Sequence, residues 1–169
     1  MNRQILLCVE TNKQARTDYK YIVETIRHFY INDRKIKYRP IFLESKTKYN
    51  SKDKVKEIIN MINMFKGQTN VIYFIDVDDY DVSKETKDLF DKIVKYCKDN
   101  GYDFVFFTKD IEDVYIGRQI KKDEKVKAAE AFTRKKMINN ISENALMSEI
   151  YKRHTSNILR VLDLYFKRK

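Results

Sequence analysis

The sequence predicts a three-layer α/β/α protein, Rossmann-like, with a mostly parallel four-stranded sheet and a set of C-terminal helices. Three observations carry this. β-branched and aromatic runs alternate with segments whose apolar residues recur every three or four positions. The stretches between the runs are long enough to hold helices, which parallel strands need because the chain must cross back over the sheet. From about Asp110 onward the strand signal disappears and the chain becomes helical and basic. At 169 residues, a single domain over 1–169 hides roughly two thirds of its unfolded surface and needs no metal or disulfide to fold. The helical extension begins at about residue 118, and no internal repeat or low-complexity linker divides the chain.

"RQILLCVE" opens the chain as the first strand. Tyr19, Ile22, Val23, Ile26, Phe29 and Tyr30 then mark one face of a helix. "KIKYRPIFLES" is the second strand, and Pro40, which lacks a ladder donor, places it at a sheet edge. Ser51 caps a helix bearing Val55, Ile58, Ile59, Ile62 and Phe65, which stops at Gly67. The third strand is "NVIYFIDV", after which Ser83 caps a helix with Leu89, Phe90, Ile93, Val94 and Cys97, closed by "DNG". "YDFVFFT" is the fourth strand. A short helix around "IEDVYIG" and a charged segment through Lys136 follow it. A long final helix is expected from Ser142, striped by Leu146, Ile150, Ile158, Leu162, Tyr165 and Phe166.

Cys8 lies in a strand run and Cys97 on a helix stripe, so both read as buried reduced thiols and not as zinc ligands or a disulfide. No segment approaches the ~20 apolar residues of a membrane span, and the N-terminus carries no small-residue cleavage site. A soluble, cytoplasmic protein with no membrane partner is the expectation. His28 and His154 lack neighbours at zinc spacing, and Gly67, Gly101 and Gly117 are isolated, which disfavours a P-loop enzyme or a dinucleotide-binding dehydrogenase.

The acids at the end of the third strand carry the functional argument. "FIDVDDYD" places Asp76, Asp78, Asp79 and Asp81 within six positions, in a chain whose net charge is +10. Ligands bind beyond the carboxyl ends of strands in open α/β sheets, and Glu10 ends the first strand just as Asp76 and Asp78 end the third. If the chain stays extended, Asp76 and Asp78 project to one side, and Glu10 joins them where the two strands are neighbours. Such crowding is relieved by Mg²⁺ or Mn²⁺, held by carboxylates and completed by water and phosphate oxygens. The alternative is that Asp78, Asp79 and Asp81 are solvated loop acids, one of them capping the next helix.

"LLCVE" followed by "FIDVD" resembles the TOPRIM domain of topoisomerases, primases and overcoming-lysogenization-defect nucleases. Within that superfamily the chain is most similar to RloB-like proteins, small bacterial proteins associated with restriction and phage-defence loci. "ETNKQARTDYKYI" corresponds to their opening, with Thr17, Asp18 and Tyr19 matching a Thr-Glu-aromatic element, and "TKDIEDVYIG" matches a short acidic helix that adds Glu112. The resemblance covers Ile5 to about Gly117, and Thr11 stands where that family carries glycine. It implies Mg²⁺-dependent cleavage of phosphodiester bonds in a bacterial defence or mobile-element setting, with Asp76 and Asp78 holding the metal and Glu10 acting as general acid/base or as a further ligand.

Charge supports a nucleic-acid partner, DNA or RNA. "RQIKKDEKVKAAEAFTRKK" carries a basic excess, and Lys121, Lys122, Lys135 and Lys136 are the candidate contacts to phosphates, against the reading that this is a solvated helix face. A partner protein or a homo-oligomer stays open. Two other functions stay open as well. Thr11 in place of glycine and the small size favour a non-catalytic binding or regulatory module, and Lys109 approximates the lysine of a receiver-like phosphorylation module.

Overall fold

The first apolar run forms β1, Arg3–Val9, and becomes an inner strand of a four-stranded all-parallel sheet. In the computed structural model, which describes residues 1–169, β2 is Ile36–Phe42, β3 is Gln68–Asp76 and β4 is Asp103–Phe107, in the order β2, β1, β3, β4. One helix fills each crossover: α1 (Thr17–Phe29), α2 (Lys52–Met64) and α3 (Lys84–Asn100). Pro40 sits on the edge strand β2, opposite Leu7, where its missing N–H costs no inner ladder bond.

Alternation along the strands divides the apolar residues between two cores. Ile5, Leu7, Val9, Ile72, Phe74, Val105 and Phe107 pack beneath α1. Leu6, Cys8, Val71, Tyr73, Ile75 and Phe106 pack against Ile58 of α2 and Phe90, Ile93 and Cys97 of α3. Because the sheet is covered on both sides, its inner strands read as nearly continuous apolar runs. Cys8 and Cys97 are buried free thiols in the second core, as their positions in the sequence predict.

Helix ends follow local chemistry. Ser83 Oγ accepts from the Thr86 N–H at 3.3 Å to open α3, and Gly101 closes it with φ of 67°, a left-handed conformation that glycine adopts without strain. Gly67 behaves differently from the expected stop signal. The helix has already ended at Met64, and Gly67 instead lets the chain pass the Asn2 carbonyl, which a Cβ would meet at 2.3 Å.

The C-terminal third packs on the α1 side. α4 (Ile111–Ile116), α5 (Lys125–Arg134) and α6 (Ile158–Leu162) contribute Tyr115, Phe132, Ile158 and Leu162 to the larger core. The long final helix expected from Ser142 is not formed: a single turn at Asn144–Leu146 is followed by irregular chain until α6. The reason lies at the open edge of β4. Ser156 Oγ donates to the Phe106 carbonyl at 2.5 Å, and Asn157 accepts from the Phe106 N–H at 2.9 Å while donating to the Phe104 carbonyl at 3.0 Å. These bonds satisfy a strand edge that would otherwise stand unpaired, and they take the chain out of helical geometry. No helix is long and apolar enough to cross a membrane.

Candidate functional site at the carboxyl edge of the sheet

The chain leaves β1 for β2 on one side and returns to β3 on the other, so strand order reverses between β1 and β3. Loops leaving such a pair diverge to opposite faces and open a crevice beyond the carboxyl ends, where ligands of open α/β sheets bind. Glu10 follows β1 and Asp76 ends β3, which sets the two acids side by side at that point. Glu10 Oε2 accepts from the Asp76 N–H at 2.5 Å, and Asp76 Oδ1 accepts from the Ile111 N–H at 3.0 Å. Two strand ends and the start of α4 are thereby tied together.

Three more acids enter from helix starts. Asp110 caps α4, with Oδ1 accepting from the Asp113 N–H at 2.8 Å. Glu112, two residues on, is fully buried, and Asp18 in the first turn of α1 is buried as well. Two lysines counter them. Lys125 of α5 places Nζ 2.9 Å from Glu112 Oε2 and 3.5 Å from Asp110 Oδ2. Lys46, in the turn after β2, donates to the Asp76 carbonyl at 2.9 Å and pairs with Asp78.

Burial dominates the electrostatics. It pushes the Glu10 carboxyl up to about 8, against the pull of Lys46 and the Asp76 N–H and with help from Asp18 and Asp78. Burial and the neighbouring Glu112 hold Asp18 at about 7. Asp76 is raised well above the carboxylate range by burial and by Glu10, Asp18, Asp78 and Asp110. Glu112 is raised by burial, though Lys125 opposes it. Burial alone would lower the two lysines, but the acids around Lys46 and Lys125 outweigh it and hold both ammonium groups above the ordinary range.

The sequence-predicted residues separate in space. Glu10, Asp76 and Glu112 lie at this edge. Asp78 does not lie beside Asp76 as an extended chain would place it, because its φ is 51° and its side chain turns out to Lys46. Asp79 and Asp81 are exposed, and Ser83, not an aspartate, caps α3. Lys121 and Lys122 precede α5 and Lys135 and Lys136 follow it, all exposed, so the two pairs stand at opposite ends of a 10-residue helix about 15 Å long. His154 Nδ1 rests 3.0 Å from Asp113 Oδ2, and the His28 ring stands edge-on to Phe29 at 4.6 Å. Spacing in the sequence does not point to Asp110, Lys46 or Lys125, and Asp18 is indicated only by the TOPRIM resemblance. The available signal for Asp18 and Asp110 was their place at helix starts.

No group of three or more His, Cys, Asp or Glu side chains is gathered in metal-holding geometry. The donor set nonetheless suits a hard cation, since it offers carboxylate oxygens alone. Glu112 Oε1 and Thr11 Oγ1 are buried without any hydrogen-bond partner, an arrangement that a bound ion or its water shell would relieve. Side-chain movement at Glu10 and Asp76 would accompany such binding, because each already accepts a main-chain N–H. No protein-family model, curated protein or solved structure matches the chain.

Proposed function

We propose that this chain is a TOPRIM-type, Mg²⁺- or Mn²⁺-dependent protein that cleaves phosphodiester bonds in nucleic acid. The observation that carries the reading is the convergence of Glu10, Asp18, Asp76, Asp110 and Glu112 on the β1/β3 switch point, with only Lys46 and Lys125 to offset them. Asp76, Glu10 and Glu112 would hold the metal, with Asp78 brought in by release from Lys46. A bound divalent ion would supply charge neutralisation at phosphate oxygens and an acidic water.

The chain's own groups then have separable tasks. Glu10, held at about 8, exchanges a proton near neutral pH, which suits a general acid or base. Lys125, anchored by Glu112 and Asp110, offers an ammonium that can meet a phosphate oxygen. Lys121, Lys122, Lys135 and Lys136 extend positive charge along both ends of α5 and would neutralise backbone phosphates away from the centre. The resemblance to RloB-like proteins implies a bacterial defence or mobile-element setting for this activity.

A second reading, a non-catalytic binding module, is favoured by the hydrogen bonds that already occupy Glu10 Oε2 and Asp76 Oδ1. Incubation with single- and double-stranded DNA and RNA, with Mg²⁺ and with Mn²⁺, decides between the two. Cleavage by the wild type that Glu10→Gln and Asp76→Asn abolish supports the enzyme. Identical behaviour of all three proteins on every substrate leaves the binding module.

A further inference from the structure

A second cavity, of about 320 Å³, opens beside α4 and is lined by Lys109, Asp113, Arg118, Gln119 and Arg153, with no apolar residue. Its three cations come from three elements: Lys109 from the loop after β4, Arg118 from the residue after the Gly117 cap of α4, and Arg153 from the turn before α6. None of the three side chains makes a hydrogen bond or an ion pair within the protein; the 13 ion pairs of the chain involve other residues.

The backbone around them is fixed. Lys109 has φ of 61° and His154 φ of 60°, left-handed conformations that non-glycine side chains rarely adopt. The Thr108 N–H donates to the Thr155 carbonyl at 3.0 Å, and His154 Nδ1 lies 3.1 Å from the Asp113 carbonyl oxygen. These contacts pin the Arg153 turn against the loop that carries Lys109. Three cations are thus held around one small polar cavity whose sole acid, Asp113, is 2% exposed. Counting Lys109, Arg118 and Arg153 against Asp113, the lining carries 3 − 1 = 2 positive charges.

We propose that this cavity binds a phosphate monoester. A monoester carries roughly −1.5 to −2 at neutral pH, matching the charge of the lining, whereas a backbone diester carries a single charge. Arginine forks recognise phosphate oxygens in pairs, and Lys109 adds a point charge. The cavity lies at the low end of the size range of small-ligand sites, adequate for a phosphate with part of the group it is attached to. The monoester would come either from the phosphorylated end of a nucleic-acid strand or from a free mononucleotide. The inference stands on the cations and does not require the carboxylates at the sheet edge to be catalytic.

Inorganic phosphate, titrated into the full chain without metal and followed by NMR and calorimetry at constant ionic strength, is the first probe. Saturable binding is expected, weakened on the order of tenfold by Arg118→Gln or Arg153→Gln and lost in the Lys109→Gln/Arg118→Gln/Arg153→Gln variant. The three side chains lie on the surface, and circular dichroism checks that the variant is folded. Oligonucleotides ending in 5′-phosphate, 3′-phosphate or hydroxyl, and a mononucleotide, are the second probe. A preference for one phosphorylated ligand that vanishes in the triple variant supports the site and identifies the source of the phosphate. Failure of the wild type to bind phosphate, binding that survives the triple substitution, or equal affinity for phosphorylated and hydroxyl ends would overturn it.

Discussion

The acids of α3 and the acids of the carboxyl edge share one chemistry in two surroundings. On α3, Asp91 and Asp99 each lie one turn from a lysine, at 3.2 Å from Lys87 and 2.5 Å from Lys95, with half of each carboxylate side chain in water. Pairs of that kind contribute little, because water already solvates both partners. At the edge, Asp18, Asp110 and Glu112 are buried and Glu10 and Asp76 half-buried, all five close together, and two lysines must serve them. The contrast teaches that an acid signals chemistry when the fold removes its solvent and supplies it with like-charged neighbours. Abundance alone carries no such signal.

Activity sharpens the comparison most. Glu10→Gln is expected to lower cleavage by about 10²–10⁴-fold, the range for loss of a general acid or base, and Asp76→Asn at least as far through lost metal affinity. Asp91→Asn and Asp99→Asn should leave the rate unchanged, as a steady-state assay on one nucleic-acid substrate would show.

The next effect in size is on stability against pH. Glu10 is raised from 4.5 to about 8 and Asp18 from 3.8 to about 7, so between those values the folded chain holds protons that the unfolded chain has released. The stabilisation is therefore complete below about pH 4 and is lost as pH rises through 7 to 8. Urea denaturation of the metal-free protein should show a decline of several kcal/mol from about pH 5 to about pH 8.5, and Glu10→Gln should flatten the slope. A profile that rises across this window would mean that the edge acids are solvated like those of α3.

Lys125→Met should cost about 2 kcal/mol at pH 7.5, since it strands Glu112 and Asp110 without their cation, and less at lower pH, because burial raises Glu112 and makes it easier to neutralise. Smallest of all, Asp76→Asn should raise metal-free stability by about 1 kcal/mol at pH 7.5. The amide oxygen can still accept the Ile111 N–H, and a neutral side chain removes the cost of keeping a raised carboxyl at this edge. The same change at Asp91 should stay within about 0.5 kcal/mol, measured by the same denaturation.

Much of the fold was legible because its determinants are local. Apolar alternation located all four strands, Pro40 marked the edge strand, and Ser83 and Gly101 bounded α3. Glu10 and Asp76 could be read as strand-end acids, while the β1/β3 pairing that joins them depends on strand order, which the alternation of strands and helices does not fix. What stayed hidden depends on distant parts of the chain. Asp78 leaves the site through a single left-handed residue in the turn toward Ser83, which spacing does not reveal. Lys125 meets Glu112 and Asp110 only because α5 docks on α1 and brings its first residue to the start of α4. The final helix fails because Ser156 and Asn157 bond to β4, so an apolar stripe from Leu146 to Phe166 mimics a continuous helix although Ile150 points to solvent.

Calorimetric titration of Mn²⁺ into the wild-type protein at pH 7.5, repeated in two buffers of different ionisation enthalpy, tests the central claim that the buried acids form a divalent-cation site. Carboxylates must lose their protons to bind a metal, so the account predicts saturable binding with proton release, and loss of both in Asp76→Asn. Absence of binding at millimolar Mn²⁺, or binding that is unchanged in Asp76→Asn and releases no protons, would contradict it.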